Sequence, residues 1–418
     1  MLSLLAAAML AASPPAPGAP LRLSDLLAEA RARNPDLRAA AFRADGASSA
    51  ASGAGALDDP RFMVQLWNTP IDFSTVPVMF QLTQGFPLSG KLGFRRELAD
   101  AEASAARAEA TAARRDVEAE VARAYFDLYR AQRTAEIDAA LRPMLQALRQ
   151  AAAARLATGK GEQAEVLKAE AGQLELEEDV AVAGQEEGMA RARLGALLDR
   201  APDFPGTTVP PRILPELPPL EALRTRALEH RSEVKVAQAM AQGAAAQLKL
   251  AEAERVPDLG TLFGYMYAFN QPGERNFIFA GLEINLPWLW GRTEARVSSA
   301  RALGEAASAA RTGAAARIGG EVADALARVR AQERVAELHH RLIPILQAAL
   351  DSSRAAYASG RGDFLLVLDT VRELRRHQLE LTMALAAYGR ALADLQRAVG
   401  EDLGLLAAAE GGVDDAHH

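Results

Sequence analysis

The chain has 418 residues, half of them hydrophobic but only 5% aromatic, with a formal net charge of −7 and no cysteine. Much of the apolar content is alanine, which favours long, closely packed helices over a bulky globular core. Acids and bases are interspersed, so no basic block points to nucleic acid, and the missing cysteines exclude disulfides, thiolate metal sites, a cysteine nucleophile and a lipid-modified N-terminal cysteine.

Residues Leu2 to Ala12 form an apolar run, followed by small residues and prolines from Ser13 to Pro20. The pattern predicts a secretory signal peptide over residues 1–20, cleaved between Ser13 and Leu21. Its first residues lack a positive side chain, and a disordered N-terminal tail is the other reading. No later window holds 18 apolar residues, so no transmembrane helix is expected. If this chain reaches a membrane, it does so by strands.

One unit is written twice, and the repeat governs everything after it. Leu26 to Leu37 reappears as Leu223 to Val234, Pro60 falls on Pro257, and Phe86-Pro87 falls on Leu286-Pro287. Gly159-Lys160-Gly161-Glu162 falls on Gly360-Arg361-Gly362-Asp363. Register held through prolines and glycines is not chance similarity between alanine-rich helices.

The first repeat covers 21–200. It opens with a helix from Leu23 to Gly55, then strands over 61–68 and 76–87. A very long helix over 92–157 follows, then a glycine turn and a return helix over 162–198. A proline-rich linker, 201–218, joins the halves. The second repeat covers 219–402. Its elements are a helix from Pro219 to Arg255, strands over 258–268 and 276–287, a long helix over 293–358 and a return helix over 363–399. Each long helix has a single proline, Pro143 or Pro344, and at 1.5 Å per residue spans roughly 100 Å. The tail, 403–418, is expected to be disordered.

The strand pairs carry the membrane argument. In Val78–Phe86 one face reads Val78, Phe80, Leu82, Gln84, Phe86 and the other Met79, Gln81, Thr83, Gly85. In the copy, Ile278, Ala280, Leu282, Ile284 and Leu286 oppose Phe279, Gly281, Glu283 and Asn285. Period-two alternation, apolar outside and polar inside, is the transmembrane β-barrel pattern, with Gln84 out of step. Gln81, Thr83, Glu283 and Asn285 are then lumen-facing. Trp67, Trp288, Trp290, Tyr265 and Tyr267 lie near strand ends, where interface aromatics belong. Four strands cannot close a barrel, and an open edge in hydrocarbon is prohibitively costly. Several chains must therefore pool their strands, and three would supply twelve. Ordinary hairpins on a soluble helical domain remain the alternative.

The order of elements, the turn Gln84-Gly85-Phe86-Pro87-Leu88-Ser89-Gly90-Lys91-Leu92 and the glycine turns at Gly159 and Gly360 together resemble the TolC family of outer-membrane efflux proteins. The resemblance covers about Leu23 to Gly400. The turn through Pro87 and Gly90, repeated at Pro287 and Gly291, looks like the heavy-metal-efflux branch, similar to CzcC and CusC. The resemblance implies a mainly α fold with transmembrane β. A homotrimer would build a twelve-stranded barrel in outer-membrane lipid, continuous with a periplasmic α-helical barrel. It implies an exit duct for small molecules or metal ions, docked through its tips to a periplasmic adaptor and an inner-membrane pump of RND type. A type I secretion duct is the variant reading. Arg155, Gly159, Lys160, Tyr357, Gly360 and Arg361 would form the docking tips. Of two carboxylates that ring the closed end, one falls on Leu366 and the other on Asp369, with Glu165 as an acidic partner from the first repeat. A tip arginine falls on Gly362. Read as residues alone, three Asp369 carboxylates in a narrow pore would repel one another and attract cations. A solvated acid near a helix N-terminus, and interhelix packing for Tyr357, are the plainer alternatives.

Other motifs fall away. Gly85 to Leu92 nearly matches a phosphate-binding loop, but Leu92 stands where Ser or Thr is needed and the copy loses the lysine. Glu337-Leu338-His339-His340 has the spacing of a di-iron ligand pair, but the first repeat offers Asp138 and no histidine there. A surface-exposed pair is expected instead. Arg361-Gly362-Asp363 reads as a turn and cap. Six histidines, two of them terminal, leave catalysis little material. No enzyme activity, cofactor or metal is expected. A periplasmic coiled-coil adaptor with a lipoyl-like β-domain, or a cytoplasmic coiled coil, would share the helices but not the two separated strand pairs.

Overall fold

A computed structural model describes residues 20–66, 77–267, 276–289 and 291–410. Its elements, in order, are β1 (Pro20–Leu21), α1 (Leu23–Arg33), α2 (Pro35–Gly53), β2 (Arg61–Leu66), β3 (Val78–Phe86), α3 (Lys91–Ala157), α4 (Gln163–Leu197) and β4 (Thr207–Thr208). The second half adds α5 (Leu220–His230), α6 (Ser232–Ala253), β5 (Leu259–Tyr267), β6 (Asn276–Ile284), α7 (Arg292–Ala358), α8 (Phe364–Val399) and α9 (Leu405–Glu410). Of the signal-like segment, only Pro20 lies within the described residues. Trp67 and Trp290 lie outside them. Among the described residues no helix is long and apolar enough to cross a membrane.

The chain divides into two compact units. One gathers Met1–Arg38, Ala113–Arg231 and Ile318–His418; the other gathers Ala39–Ala112 and Ser232–Arg317. The long helices α3 and α7 contribute to both. The second unit holds the four-stranded sheet, in the order β2-β3-β5-β6 and antiparallel throughout.

In the first unit, one end of α3, α4, α7 and α8 shares a core. Leu141, Leu145, Leu148 and Ala152 of α3 recur at alternating steps of four and three. They meet Leu346, Leu350 and Tyr357 of α7 and Phe364, Val367, Leu368, Val371 and Leu374 of α8. That spacing is the seam of packed long helices. The linker is pinned rather than free. Thr208 gives both its backbone N–H and its hydroxyl to Gln132 Oε1, at 2.9 and 2.8 Å, and the Leu214 N–H reaches Tyr388 Oη at 3.0 Å. Tyr125 Oη accepts from the Val209 N–H at 2.8 Å and donates to the Leu21 carbonyl at 2.9 Å.

Three expectations need correction. Each opening helix is two helices. Pro35 has no N–H and forces Asn34 out of the α region, so α1 stops there. Asn34 Oδ1 then caps α2 by accepting from the Asp36 and Leu37 N–H groups. In the copy the break comes at Arg231, extended at φ −66° and ψ 129°. Its buried guanidinium reaches Glu321 and the Ala398 carbonyl. The tail is not disordered over 403–410. Leu405, Leu406 and Ala409 of α9 are buried, and the Glu410 carboxylate accepts from the Leu23 and Ser24 N–H groups. Arg22, at the α1 N-cap, offers no side-chain cap, so Glu410 serves instead. The strand expected over 276–287 ends at Ile284.

Glu118 of α3 joins α1 to this unit. Arg31, Arg114 and Arg115 all reach it, at 2.6, 2.9 and 2.7 Å. Burial pushes its carboxyl up, but the hydrogen bonds from Arg114 and Arg31 and the charges of Arg115 and Arg31 outweigh that and hold it below 4.5. A depressed carboxylate stabilises the fold above its unfolded pKa and loses that contribution as pH falls through the folded value. Glu118→Gln is therefore expected to cost about 2 kcal/mol at neutral pH, the scale of hydrogen bonds to a charged group. The gap from the parent should close in acid. Denaturant titrations at several pH values check this, and a gap that does not change with pH contradicts it.

Candidate functional site: a two-faced sheet and a helical tip

The register of the sheet sets two faces. Phe62, Leu82, Phe263 and Ala280 lie in one row, and Val64, Phe80, Tyr265 and Ile278 in the next. This face continues through Leu66 and Leu282 and stays exposed: Ile278 is 75%, Leu282 70%, Phe62 66% and Phe263 59% exposed. Phe62 and Phe80 stack at 6.3 Å. A contiguous apolar band of this kind on a water-soluble monomer marks an interaction or membrane surface. The outer edges of β2 and β6 have no strand partner among the described residues.

The opposite face is only partly polar. Gln81, Thr83 and Glu283 lie on it, and Gln81 Nε2 donates to Thr83 Oγ1 at 3.1 Å. Arg61 and Gln65 join them. Met63, Met79, Leu262, Met266, Phe277 and Phe279 are there too, with the Phe279 ring lying over Gly264. Asn285 was expected to face the lumen from a strand, but lies past the end of β6. Its Oδ1 accepts the Asp258 N–H at 2.6 Å.

That bond belongs to the strand-to-helix turns. Ser89 and Gly90, after Pro87, take φ values of 58° and 73°, and Gly291, after Pro287, takes 66°. Lys91, passed over as the remnant of a phosphate loop, is buried. Its Nζ donates to Asp258 Oδ1 at 2.6 Å and to the Val256 carbonyl at 2.7 Å, while the Leu88 N–H donates to the same Asp258 oxygen. The lysine thus fastens the α3 turn to the start of β5. In the copy Thr293 Oγ1 donates to the Pro287 carbonyl, and Arg255 pairs with Glu294. Trp288, Leu289 and Leu286 stand exposed at this turn.

The helical tip lies in the first unit. Gly159 and Gly360 take φ of 70° and 77°, the left-handed conformation that ends α3 and α7. Two residues on, Gly362 packs so closely that an added Cβ would sit 2.6 Å from the Tyr357 nitrogen. Sequence reasoning placed a missing arginine there; the backbone requires glycine. Arg155 lies 4.7 Å over the Tyr357 ring, and its guanidinium donates to the Tyr357 and Lys160 carbonyls. Tyr357 is buried, and its hydroxyl donates to Glu165 Oε2 at 3.1 Å. Burial, then the Glu165 hydrogen bond and charge, push its pKa up to about 12. The structure therefore joins Arg155, Tyr357 and Glu165 in one cluster. It does not bring Glu165 to Asp369, which is exposed on α8. Lys160 and Arg361 are exposed at the turns. A groove of about 620 Å³ runs beside the cluster, lined by Ala147, Ala151, Ala154 and Arg155 of α3 and by Arg354 and Ala355 of α7.

Further along, Arg375 of α8 makes a two-pronged pair with fully buried Asp138 of α3, at 2.7 and 3.1 Å, and reaches Asp179 of α4 at 2.7 Å. Arg372 meets Glu175 at 3.0 Å beside it. Sequence reasoning missed this tie across three helices, because no local pattern pairs residues 237 apart. The only signal was a lone aspartate in an apolar stripe. His340 is exposed as expected, but His339 is not: it faces His377 on α8.

Comparisons with known proteins agree with this architecture. The family profile described as outer membrane efflux protein matches residues 26–199 and 223–401, once in each repeat. Among solved structures, the chain is similar to CusC with 21% identity and a TM-score of 0.80, over 91% of this chain and 92% of that one. It is similar to the Campylobacter jejuni outer membrane channel CmeC with 14% identity and a TM-score of 0.78, over 90% and 85%. It is also similar to the outer membrane protein VceC of Vibrio cholerae with 23% identity and a TM-score of 0.77, over 91% and 96%. No curated protein sequence matches the chain. These likenesses are of fold, and they do not single out the metal branch. With the profile covering both repeats, the chain belongs to the outer membrane efflux protein family.

Proposed function

We propose that three copies of this chain assemble into an outer-membrane exit duct, with the helical part in the periplasm, that takes cargo from an adaptor and an inner-membrane pump of RND type. The observation that carries this reading is the sheet: among the described residues it has four strands, an exposed apolar face and two edges without a strand partner. Backbone edges unpaired in hydrocarbon cost several kcal/mol per group, so the strands need strands from sister chains. Family membership supplies the efflux role. The duct performs no chemistry of its own. The tip glycines, Arg155, Lys160, Tyr357 and Arg361 are the adaptor-facing surface, and the alanine-lined groove offers a shallow seat for a partner helix. Asp369 is the exposed carboxylate that three copies bring round the pore. Glu165 acts through Tyr357, holding the tip of its own chain together.

Charge placement tests the barrel. Leu82 lies at the centre of β3 on the apolar face, and Thr83 lies beside it on the other. Leu82→Arg is expected to cost about 2–4 kcal/mol in lipid, and Thr83→Arg far less. The readout is the yield of detergent-extracted trimer from outer membranes. Equal yields for the two variants, or a parent chain that purifies without detergent as a monomer, would end the proposal.

The gate is tested separately. Asp369→Ala should raise the conductance of purified trimers in planar bilayers, and unchanged conductance removes Asp369 from the gate. Tyr357→Phe deletes one hydrogen bond and should cost about 1 kcal/mol locally. Faster hydrogen exchange confined to the ends of α7 and α8 is the expected signature; uniform exchange across α8 would show that the hydroxyl does not hold the tip.

A further inference from the structure

Three metal-ligating side chains converge where α7 meets α8, well along both helices from the tip. His339 Nδ1 lies 3.2 Å from His377 Nδ1, and His377 Nδ1 lies 2.9 Å from Glu380 Oε2. His339 Nε2 lies 3.5 Å from the same carboxylate oxygen. One donor atom from each of the three fits within 4.8 Å of the others. Around a tetrahedral zinc ion, with ligand distances of about 2.0–2.1 Å, donors sit about 3.3 Å apart. With Nδ1 as the donor of His339, its 3.2 Å to His377 Nδ1 and the 2.9 Å from there to Glu380 Oε2 come close to that spacing, all three donors lie within 4.8 Å of one another, and a fourth position is left for water. The imidazoles are only 16% and 13% exposed.

We propose that His339, His377 and Glu380 bind a divalent transition-metal ion of borderline softness, such as Zn(II). Two imidazoles and one carboxylate suit such ions and not Mg(II), which prefers oxygen donors in an octahedron. His377 and Glu380 are three residues apart on α8, so both project from one face. His339 arrives from α7. The inference uses only these two helices and stands apart from the channel reading.

The duplicated sequence supports it. Pro143 and Pro344 are equivalent positions 201 apart, and the same shift places Asp138 on His339 and Asp179 on Glu380. In the first repeat those two carboxylates close on the Arg375 guanidinium. That copy carries its own cation. In the second repeat the equivalent positions, with His377 between them, gather donors around a centre that no side-chain cation fills among the described residues. Arg376 approaches the far nitrogen, His377 Nε2, at 3.3 Å. A metal on Nδ1 leaves a proton on Nε2, so Arg376 must turn away. Its side chain is 62% exposed and has Glu373 within 3.8 Å as another partner.

The test is calorimetric titration of the purified, detergent-solubilised full chain with Zn(II), in a background of His417→Ala and His418→Ala that silences the terminal pair. One Zn(II) per chain is expected. His339→Ala or His377→Ala should weaken binding by more than ~10-fold, Glu380→Gln should weaken it, and Arg376→Ala should keep or tighten it. Co(II) supplies a readout on the unmutated site: intense visible bands of tetrahedral coordination are expected. Binding that survives both histidine substitutions, Mg(II) competing equally, or Co(II) bands as weak as those of the hydrated ion would each overturn the proposal.

Discussion

The structure depends on a backbone constraint. A strand edge in hydrocarbon has no water to satisfy its N–H and C=O groups, so a membrane sheet must close on itself. The larger sheet of this chain has four strands, with the outer edges of β2 and β6 unpaired among the described residues. The large apolar side chains most exposed on that sheet, Ile278, Leu282, Phe62 and Phe263, lie on one face. Water penalises that face, and lipid penalises those edges. A closed cylinder made from several copies removes both penalties at once. The pairing of β3 with β5 already joins the two repeats across the sheet, so each repeat supplies one hairpin and one outer edge.

The apolar face of the sheet was legible in the sequence because strand periodicity is local. Phe80, Leu82, Ile278 and Leu282 alternate within their own strands and need no partner to be recognised. The inner face was legible only in part. Met79, Met266, Phe277 and Phe279 fall on the face read as polar, since residues there need not be uniformly polar so long as lipid does not touch them. Gln84, the misfit on the apolar face, lies near the strand end and donates to the Asp58 carbonyl. Outer helix ends came within a residue or two where glycine or proline punctuated them, but the break before Pro35 was missed although a proline marks it. The break at Arg231 carries neither, and sequence periodicity ran through it.

What stayed hidden is long-range. Lys91 with Asp258, Arg375 with Asp138, Glu410 over the start of α1 and Tyr357 with Glu165 join residues 167 to 387 apart. In each case one charged or polar group satisfies another that its own element leaves exposed or uncapped. A sequence shows the need, such as a helix starting at Leu23 with no side-chain cap, but not which distant residue meets it. The histidine pair shows the same limit. Spacing along α7 compared Glu337 and His340 with a known motif, whereas the partners of His339 lie on α8.

The tip shows where duplication stops being symmetry. By the shift that aligns Gly159 with Gly360, the counterpart of Tyr357 is Leu156, that of Arg155 is Ala356 and that of Glu165 is Leu366. Each repeat lacks what the other contributes, so the cluster of Arg155, Tyr357 and Glu165 forms once per chain and not twice. Asp363 caps α8 through the Leu365 N–H, while Glu162 makes no side-chain cap at the start of α4. In a three-fold ring built as proposed, joints between helix pairs therefore alternate between a secured kind inside each chain and a less secured kind between chains. In such a ring the exposed Asp369 would add like-charge repulsion if three copies converge there. A ring of that construction opens at the joints between chains while each chain's own tip stays intact. Rigid tips moving apart, rather than tips unfolding, follow from the uneven distribution of three side chains.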